Sequence, residues 1–322
     1  MPSSKADIAL NIFAKPYQTA VSLLSLLKFS AGRVGRIYLQ FEPAGSRYDT
    51  EPPYAVAEYL RERGQDLEIF QPEIWIECDA VDETRLEEPA YRLALRYQWA
   101  FERTDKRYLF ITHNDVMFKK DIIGAMLERA EGFFALGPLG QCWNCPARRE
   151  DLVREAGLGE RACSPERYAE FQPELAGLER IYVLAGEKGT FVRPYWEGWT
   201  AHYSGRAWPL PECRVNEWAC LVDVNLTRPL TRPQGDILPF GAYEPCGSQT
   251  LDISVPWFRE FSRLGFKAGH FAVDEYMLHW GGSKRMRRDL YNRAEMEAMI
   301  VLRKGFPDFV RWCGDKKKKL FL

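Results

Sequence analysis

The stretch Arg107-Tyr-Leu-Phe-Ile-Thr-His-Asn-Asp-Val-Met-Phe118 constrains this chain more than any other. Its first half is a short run of aromatic and β-branched residues, which predicts a buried strand. The run stops at three polar groups, His113, Asn114 and Asp115, and a helical period resumes with Ile122, Ile123, Met126 and Leu127. A strand that delivers a carboxylate at its C-terminal end, just ahead of a helix, puts it in the ligand crevice of an open α/β sheet. A hard divalent cation bridging phosphates needs an oxygen ligand at that place. An Asp there can also cap a helix or make a turn. The adjoining His and Asn are poor choices for a merely structural turn.

The chain ahead of this stretch alternates regularly. Residues 7–13 read as a strand, Lys15-Pro16-Tyr17 breaks it, and Thr19 can cap a helix through Val21, Leu24 and Leu27. Gly32 and Gly35 close that helix, and residues 35–41 form a second strand, a βαβ unit that predicts a parallel sheet. A helix over 54–63, a strand at 67–70 and one helix over 87–102 follow, the last with Ala90, Leu93, Tyr97, Ala100 and Phe101 on one face. A helix over 122–130 leads to a strand at 132–136. Beyond Gly137-Pro-Leu-Gly140 the pattern loosens. Ser254 can cap a helix with Pro256 in its first turn and Trp257, Phe261 and Leu264 on one face. A short strand at 265–268, the segment His279-Trp-Gly-Gly-Ser283 and a helix over 288–303 complete the chain.

Composition narrows the function classes. Of 322 residues, 46% are hydrophobic and 28% charged, as in soluble globular proteins. The net charge of −1 gives no general reason to bind nucleic acid. No run approaches the ~20 apolar residues of a membrane span, and the polar start lacks the pattern of a signal peptide. The expected compartment is the cytoplasm, where the eight cysteines would be reduced or metal-bound. Four lysines, 316–319, adjoin Leu320, Phe321 and Leu322. That composition can touch an anionic membrane, but a solvated, frayed end is the preferred reading. No G-x-G-x-x-G, G-x-x-x-x-G-K-[ST] or G-x-S-x-G is present, which disfavours dinucleotide oxidoreductases, P-loop NTPases and serine hydrolases.

A strand-terminal Asp115 in a doubly wound sheet, with His279 far downstream in a Gly-rich turn, resembles the GT-A fold glycosyltransferases, in particular the family 2 type. The resemblance implies a GT-A-like (Rossmann-like), mostly parallel sheet flanked by helices. Residues 1–140 would form a nucleotide-sugar-binding half and residues 141–322 a loop-rich acceptor half, in one continuous domain. It further implies Asp115 and His279 as ligands of Mn2+ or Mg2+, with Asn11, Arg96, His113 and Asn114 on the nucleotide side of the site. His113 departs from the family pattern, since it stands where the first Asp of an Asp-x-Asp motif usually stands.

The residues support this chemistry on their own terms. A sugar leaving a nucleotide diphosphate builds negative charge on the β-phosphate, and a cation or an Arg placed there lowers the barrier. Imidazole suits Mn2+ better than Mg2+. Arg96 can reach a phosphate from the helix before the central strand, or can be a solvated arginine beside Arg92. Gly281 and Gly282 permit close ligand approach. An inverting transfer needs a base for the acceptor hydroxyl. Glu217, in Cys213-Arg-Val-Asn-Glu-Trp-Ala-Cys220, is the first candidate and Asp252 the second, with capping or salt bridging the alternative for each. Cys142-x-x-Cys145, Cys163 and Cys213 can hold a structural Zn2+. The second pair is not C-x-x-C, so buried free cysteines are the alternative. Tyr195, Trp196, Trp199, Tyr203, Trp208 and Trp218 suit either a sugar-stacking surface or a core. The rival reading is a non-catalytic GT-A-like scaffold or zinc-stabilised interaction protein, which His113 keeps open.

Overall fold

The computed structural model describes residues 5–43, 51–76, 81–140, 145–167, 171, 173–190, 213–246, 249–280 and 288–318. In chain order the strands are β1 (Ala6–Ile12), β2 (Val34–Phe41), β3 (Leu67–Phe70), β4 (Tyr108–Thr112), β5 (Val116–Phe118), β6 (Ala135–Gly137), β7 (Ala219–Asp223), β8 (Glu244–Cys246), β9 (Gln249–Leu251), β10 (Ala268–His270) and β11 (Met277–His279). Seven of them form the central sheet, in the order β10-β6-β7-β4-β1-β2-β3. β7 runs antiparallel to both its neighbours, β4 and β6, and the other six strands share one direction. β5 pairs with β11, and β8 with β9, as separate antiparallel ribbons. β7 and β10, from beyond residue 140, complete a sheet begun before it.

β1 and β4 are buried along their whole length, as expected of strands covered on both faces. Their side chains divide by the two-residue period. Ile8, Leu10, Tyr108 and Phe110 enter one core, and Ala9, Leu109 and Ile111 enter the other. The first core is closed by α1 (Pro16–Ser30), α2 (Glu51–Glu62), α5 (Ile122–Leu127) and the C-terminal α9 (Arg288–Gly305) and α10 (Pro307–Asp315). The second lies under α4 (Gln98–Arg103), α6 (Glu150–Glu155), α7 (Leu175–Glu187) and α8 (Val255–Arg263). Among the described residues no helix is long and apolar enough to cross a membrane.

Several sequence expectations change here. The single helix over 87–102 is two, α3 (Pro89–Ala94) and α4, because Tyr97 takes a left-handed conformation with φ 66°. Tertiary contacts meet the chain at the break: the Tyr97 N–H donates to Asn11 Oδ1 at 3.1 Å, and the Arg96 carbonyl oxygen lies 2.1 Å from where a Cβ on Gly241 would sit, so glycine is required there. The strand expected at 132–136 is β6, slightly later, and that at 265–268 is β10. Ser254 stands at the N-cap of α8 but has φ 67° and makes no side-chain cap bond. Lys316 and Lys318 of the basic tail pair with Glu62 and Glu58 at 2.8 Å each, and residues 319–322 lie outside the described residues.

Trp257 anchors the second core. It is fully buried, 4.5 Å between ring centroids from Phe261 and 5.4 Å from Phe134, and its Nε1 donates to Thr231 Oγ1 at 3.0 Å. Trp257→Ala should therefore lose about 3–5 kcal/mol, read as a lower urea midpoint with an unchanged slope.

Candidate active site

β1 and β4 are adjacent, yet the chain leaves β1 towards β2 and β3 and leaves β4 towards the opposite side of the sheet. The crevice beyond their carboxyl ends is the topological switch point, where open α/β sheets bind ligands. Lys15 follows β1 there, and His113, Asn114 and Asp115 follow β4. β7 runs the other way, with Ala219 opposite Thr112, so the residues leading into β7 arrive at the same edge. Those residues include Arg214, Glu217 and Trp218. The β5–β11 ribbon supplies the last element. His279 pairs with Val116, and the Trp280 N–H donates to the Asp115 carbonyl at 3.0 Å.

Asp115 is 2% exposed, and its two carboxylate oxygens face different partners. Oδ2 accepts from Lys15 Nζ at 2.6 Å. Oδ1 faces both imidazoles, 3.2 Å from His279 Nε2 and 3.6 Å from His113 Nδ1. His113, Asp115 and His279 each present one ligand atom, all within 4.8 Å of one another. Trp218 stacks on the His279 ring, with centroids 5.1 Å apart and planes 9° from parallel, and so fixes its orientation.

The other ring nitrogen of His113, Nε2, lies 3.4 Å from Glu217 Oε1. Glu217 Oε2 accepts from Arg214 Nη2 at 2.9 Å, and the same nitrogen reaches Asp252 Oδ2 at 3.2 Å. Arg214 is fully buried and also donates to the Ile253 carbonyl and to Asn216 Oδ1, each at 2.8 Å. Burial disfavours charge on all three titrating groups, but their neighbours prevail. Hydrogen bonds to Asp115 and Glu217 raise His113 to about 9. Arg214 and His113 hold Glu217 down at about 2. Lys15 and the two imidazoles keep Asp115 well below the usual carboxylate range.

The structure thus brings Asp115, His113 and His279 to one point, reaches Glu217 through His113, and reaches Asp252 through Arg214. The remaining expected nucleotide contacts are bonded elsewhere. The Asn114 amide donates to the Ala14 carbonyl at 3.1 Å and to Thr19 Oγ1 at 3.0 Å, pinning the β1–α1 turn. Asn11 donates to Glu42 Oε1 at 3.4 Å and accepts from the Tyr97 N–H at 3.1 Å. Arg96 sits in the bend between α3 and α4, where its guanidinium forks onto Glu42 at 2.7 and 3.2 Å and donates to the Tyr243 hydroxyl at 3.1 Å. Asn11, Glu42, Arg96 and Tyr97 form one network.

Two site residues escaped the sequence reading. Lys15 looked like part of a strand break, although a lysine between a strand end and Pro16 is placed to face a crevice. Arg214, three residues before Glu217, entered only as part of the stretch around that carboxylate. The structural zinc is a correction. Cys145, Cys163 and Cys213 do line one small cavity with Leu139 and Arg148. Among the described residues, however, His113, Asp115 and His279 are the group whose ligand atoms converge closely enough for a metal ion, so a thiolate zinc site is not supported. Cys142, Gly281, Gly282 and the aromatics from Tyr195 to Trp208 lie outside the described residues.

Arg214→Met should destabilise the fold by about 3–5 kcal/mol at pH 7, because it removes the buried cation that Glu217 and Asp252 share. Glu217 titrates near 2 when folded, against an ordinary value of 4.5. Its contribution is therefore present above about 4.5 and lost as pH falls towards 2. The deficit of the variant, from urea melts at pH 7 and pH 3, should shrink at the lower pH.

No protein-family model and no curated protein matches this sequence. Solved structures similar to it include a mannosyltransferase from Pyrobaculum calidifontis in complex with GDP-Man and Mn2+, 11% identical over 53% of each chain with a TM-score of 0.32. Core-mannan synthase A from Aspergillus fumigatus in its Mn/GDP form is 9% identical over 70% of this chain and 61% of its own, with a TM-score of 0.33. Glucosyl-3-phosphoglycerate synthase from Mycobacterium tuberculosis, in complex with Mn2+, UDP and phosphoglyceric acid, is 10% identical over 92% of this chain and 78% of its own, with a TM-score of 0.42. This chain thus spans about half the length of the first and under two thirds of the second. At these values the likeness is one of coarse arrangement, and the functional reading rests on the site geometry. The mostly parallel sheet flanked by helices is the architecture expected from the sequence.

Proposed function

We propose that this chain transfers a sugar from a nucleotide-diphosphate donor to an acceptor, using Mn2+ or Mg2+ held by Asp115, His113 and His279. One observation carries the reading: a buried carboxylate and two imidazoles converge at the switch point between β1 and β4. The donor set of one oxygen and two nitrogens fits a divalent cation and favours Mn2+ over Mg2+. When bound, such a cation offsets the negative charge that develops on the β-phosphate as the sugar departs.

The chain's own residues take the following parts. His113, raised to about 9 with no cation bound, moves from an expected nucleotide contact to a ligand by giving up its proton, since Nδ1 faces Asp115 while Nε2 faces Glu217. A ligating histidine whose second nitrogen meets a carboxylate is oriented by it. Glu217 is therefore a positioning residue here, and a carboxylate held near 2 is a weak base at neutral pH. Asp252, with 28% of its side chain exposed on the far side of Arg214, becomes the candidate base for the acceptor hydroxyl. Trp218 keeps the His279 ring in register.

Asp115→Asn should abolish Mn2+-dependent binding of GDP and UDP, measured by calorimetry, with the circular dichroism spectrum retained. Unchanged binding would refute the ligand role. Glu217 and Asp252 should separate in a screen of nucleotide sugars. Glu217→Gln should weaken Mn2+ binding about 10–100-fold. Asp252→Asn should leave Mn2+ and donor binding intact but lower kcat by about 10²–10⁴. If both variants lose metal affinity equally, the division of roles is wrong.

A further inference from the structure

We propose that the Lys15 ammonium and a divalent cation compete for the carboxylate of Asp115, and that a nucleoside diphosphate relieves the competition by engaging the ammonium. The proposal rests on reading His113, Asp115 and His279 as a cation site. It adds a reason why that site would fill only together with its nucleotide.

The carboxylate is divided between the two claims. Lys15 Nζ holds Oδ2 at 2.6 Å, while the imidazoles of His113 and His279 face Oδ1. Lys15 is 17% exposed at its side chain and Asp115 is 2% exposed, so little water screens the site. A divalent cation at Oδ1 and an ammonium at Oδ2 would share one negative charge and repel each other in a poorly screened environment. A diphosphate supplies further negative charge, and its oxygens accept from lysine readily.

The position of Lys15 is built, not incidental. Ala14 and Lys15 are consecutive non-glycine residues in the left-handed region, with φ 54° and 57°. Such strain persists only where the surroundings over-determine it. Here the Ala14 carbonyl accepts from Asn114 Nδ2 at 3.1 Å, and the Lys15 N–H donates to the Tyr291 hydroxyl at 3.2 Å. The Lys15 carbonyl accepts from Thr19 N at 2.8 Å and Thr19 Oγ1 at 2.7 Å. Asn114 adjoins Asp115, so one loop both pins the lysine's backbone and carries its partner.

Among the described residues, other sources of positive charge nearby are already engaged. The N-terminus of α1 would ordinarily attract an anion, but the Glu295 carboxylate accepts from the Tyr17 and Gln18 N–H groups at 3.0 and 3.3 Å. Arg96 is forked onto Glu42. Among the described residues, Lys15 is thus the side chain positioned to pass from a protein carboxylate to a diphosphate. By linkage, any factor by which the diphosphate strengthens the cation's binding is the factor by which the cation strengthens the diphosphate's.

The test is calorimetry on the full chain with Mn2+ alone, GDP or UDP alone, and Mn2+ at saturating GDP or UDP. It compares the wild type with Lys15→Met and Lys15→Arg, using thermal melting to confirm folding. In the wild type, the nucleotide should raise Mn2+ affinity by about 10-fold or more. Lys15→Met should bind Mn2+ alone about 10-fold more tightly and lose most of the nucleotide enhancement, whereas Lys15→Arg should retain the enhancement. Equal Mn2+ affinity in wild type and Lys15→Met, with the enhancement unchanged, overturns the competition and leaves the cation site standing. Absence of Mn2+ binding from every form, with and without nucleotide, overturns the site and the competition together. Should Lys15→Met fail to fold, a wild type whose Mn2+ affinity ignores GDP and UDP is enough to reject the proposal.

Discussion

Parallel pairing of β1 with β4 is the constraint on which the rest depends. Ala6 lies opposite Tyr108 and Leu10 opposite Thr112, so the strands start level and β1 runs on to Ile12 past the end of β4 at the same edge. Both are covered on both faces, and a one-residue slip would exchange the side chains of the two cores. The register therefore also fixes where Lys15 and Asp115 stand relative to each other. Their contact is a consequence of core packing before it is an electrostatic preference.

On that frame, the reversed β7 does what a parallel strand cannot. A parallel β7 would bring its leading residues to the opposite edge of the sheet and leave the crevice with Lys15, His113 and Asp115 alone. Reversal delivers Arg214, Glu217 and Trp218 to the site from a chain segment about a hundred residues away. The result is a chain of charges of alternating sign, from Lys15 through Asp115, His113, Glu217 and Arg214 to Asp252. Buried charges are tolerated when each has a partner, and this alternation satisfies that condition without an apolar substitute. It also makes the site stiff, because the orientation of each side chain depends on two neighbours.

What the sequence disclosed, and what it withheld, follows from range. The βαβ opening was legible because strand and helix periods are local. Asp115 was legible because an apolar run ended in polar groups, and His279 because a histidine preceded two glycines. The break at Tyr97 was hidden: residues 87–102 keep one helical face, and the groups that meet the chain at the break, Asn11 and Gly241, come from distant parts of the sequence. β7 is only five residues, fully buried, and lacks the alternation that marks a half-exposed strand. Lys15 and Arg214 take their significance from partners 100 and 38 residues away, as the Asp115 and Asp252 contacts show. The Cys142-x-x-Cys145 spacing allowed a thiolate site, but spacing says nothing about whether sulfur atoms meet at one point. In each case the missing information was a tertiary contact, not a propensity.

The exchange of an acid for His113 changes the electrostatics of the crevice in a definite direction. Two carboxylates at a strand end would hold a cation by charge, whatever else was bound. Here one carboxylate stands with two imidazoles, and Lys15 already balances it. The pocket offers a cation directional nitrogen ligands but little net negative charge. Affinity for a hard ion such as Mg2+ depends mainly on oxygen donors and charge, so this donor set alone favours it least. An anionic ligand would change that balance by contributing oxygen donors and charge at once. If the proposed cation site holds, a site built in this way would discriminate between a cation alone and a cation that arrives with a phosphate, and the basis of that discrimination would be the lysine that the β1–α1 turn holds against Asp115.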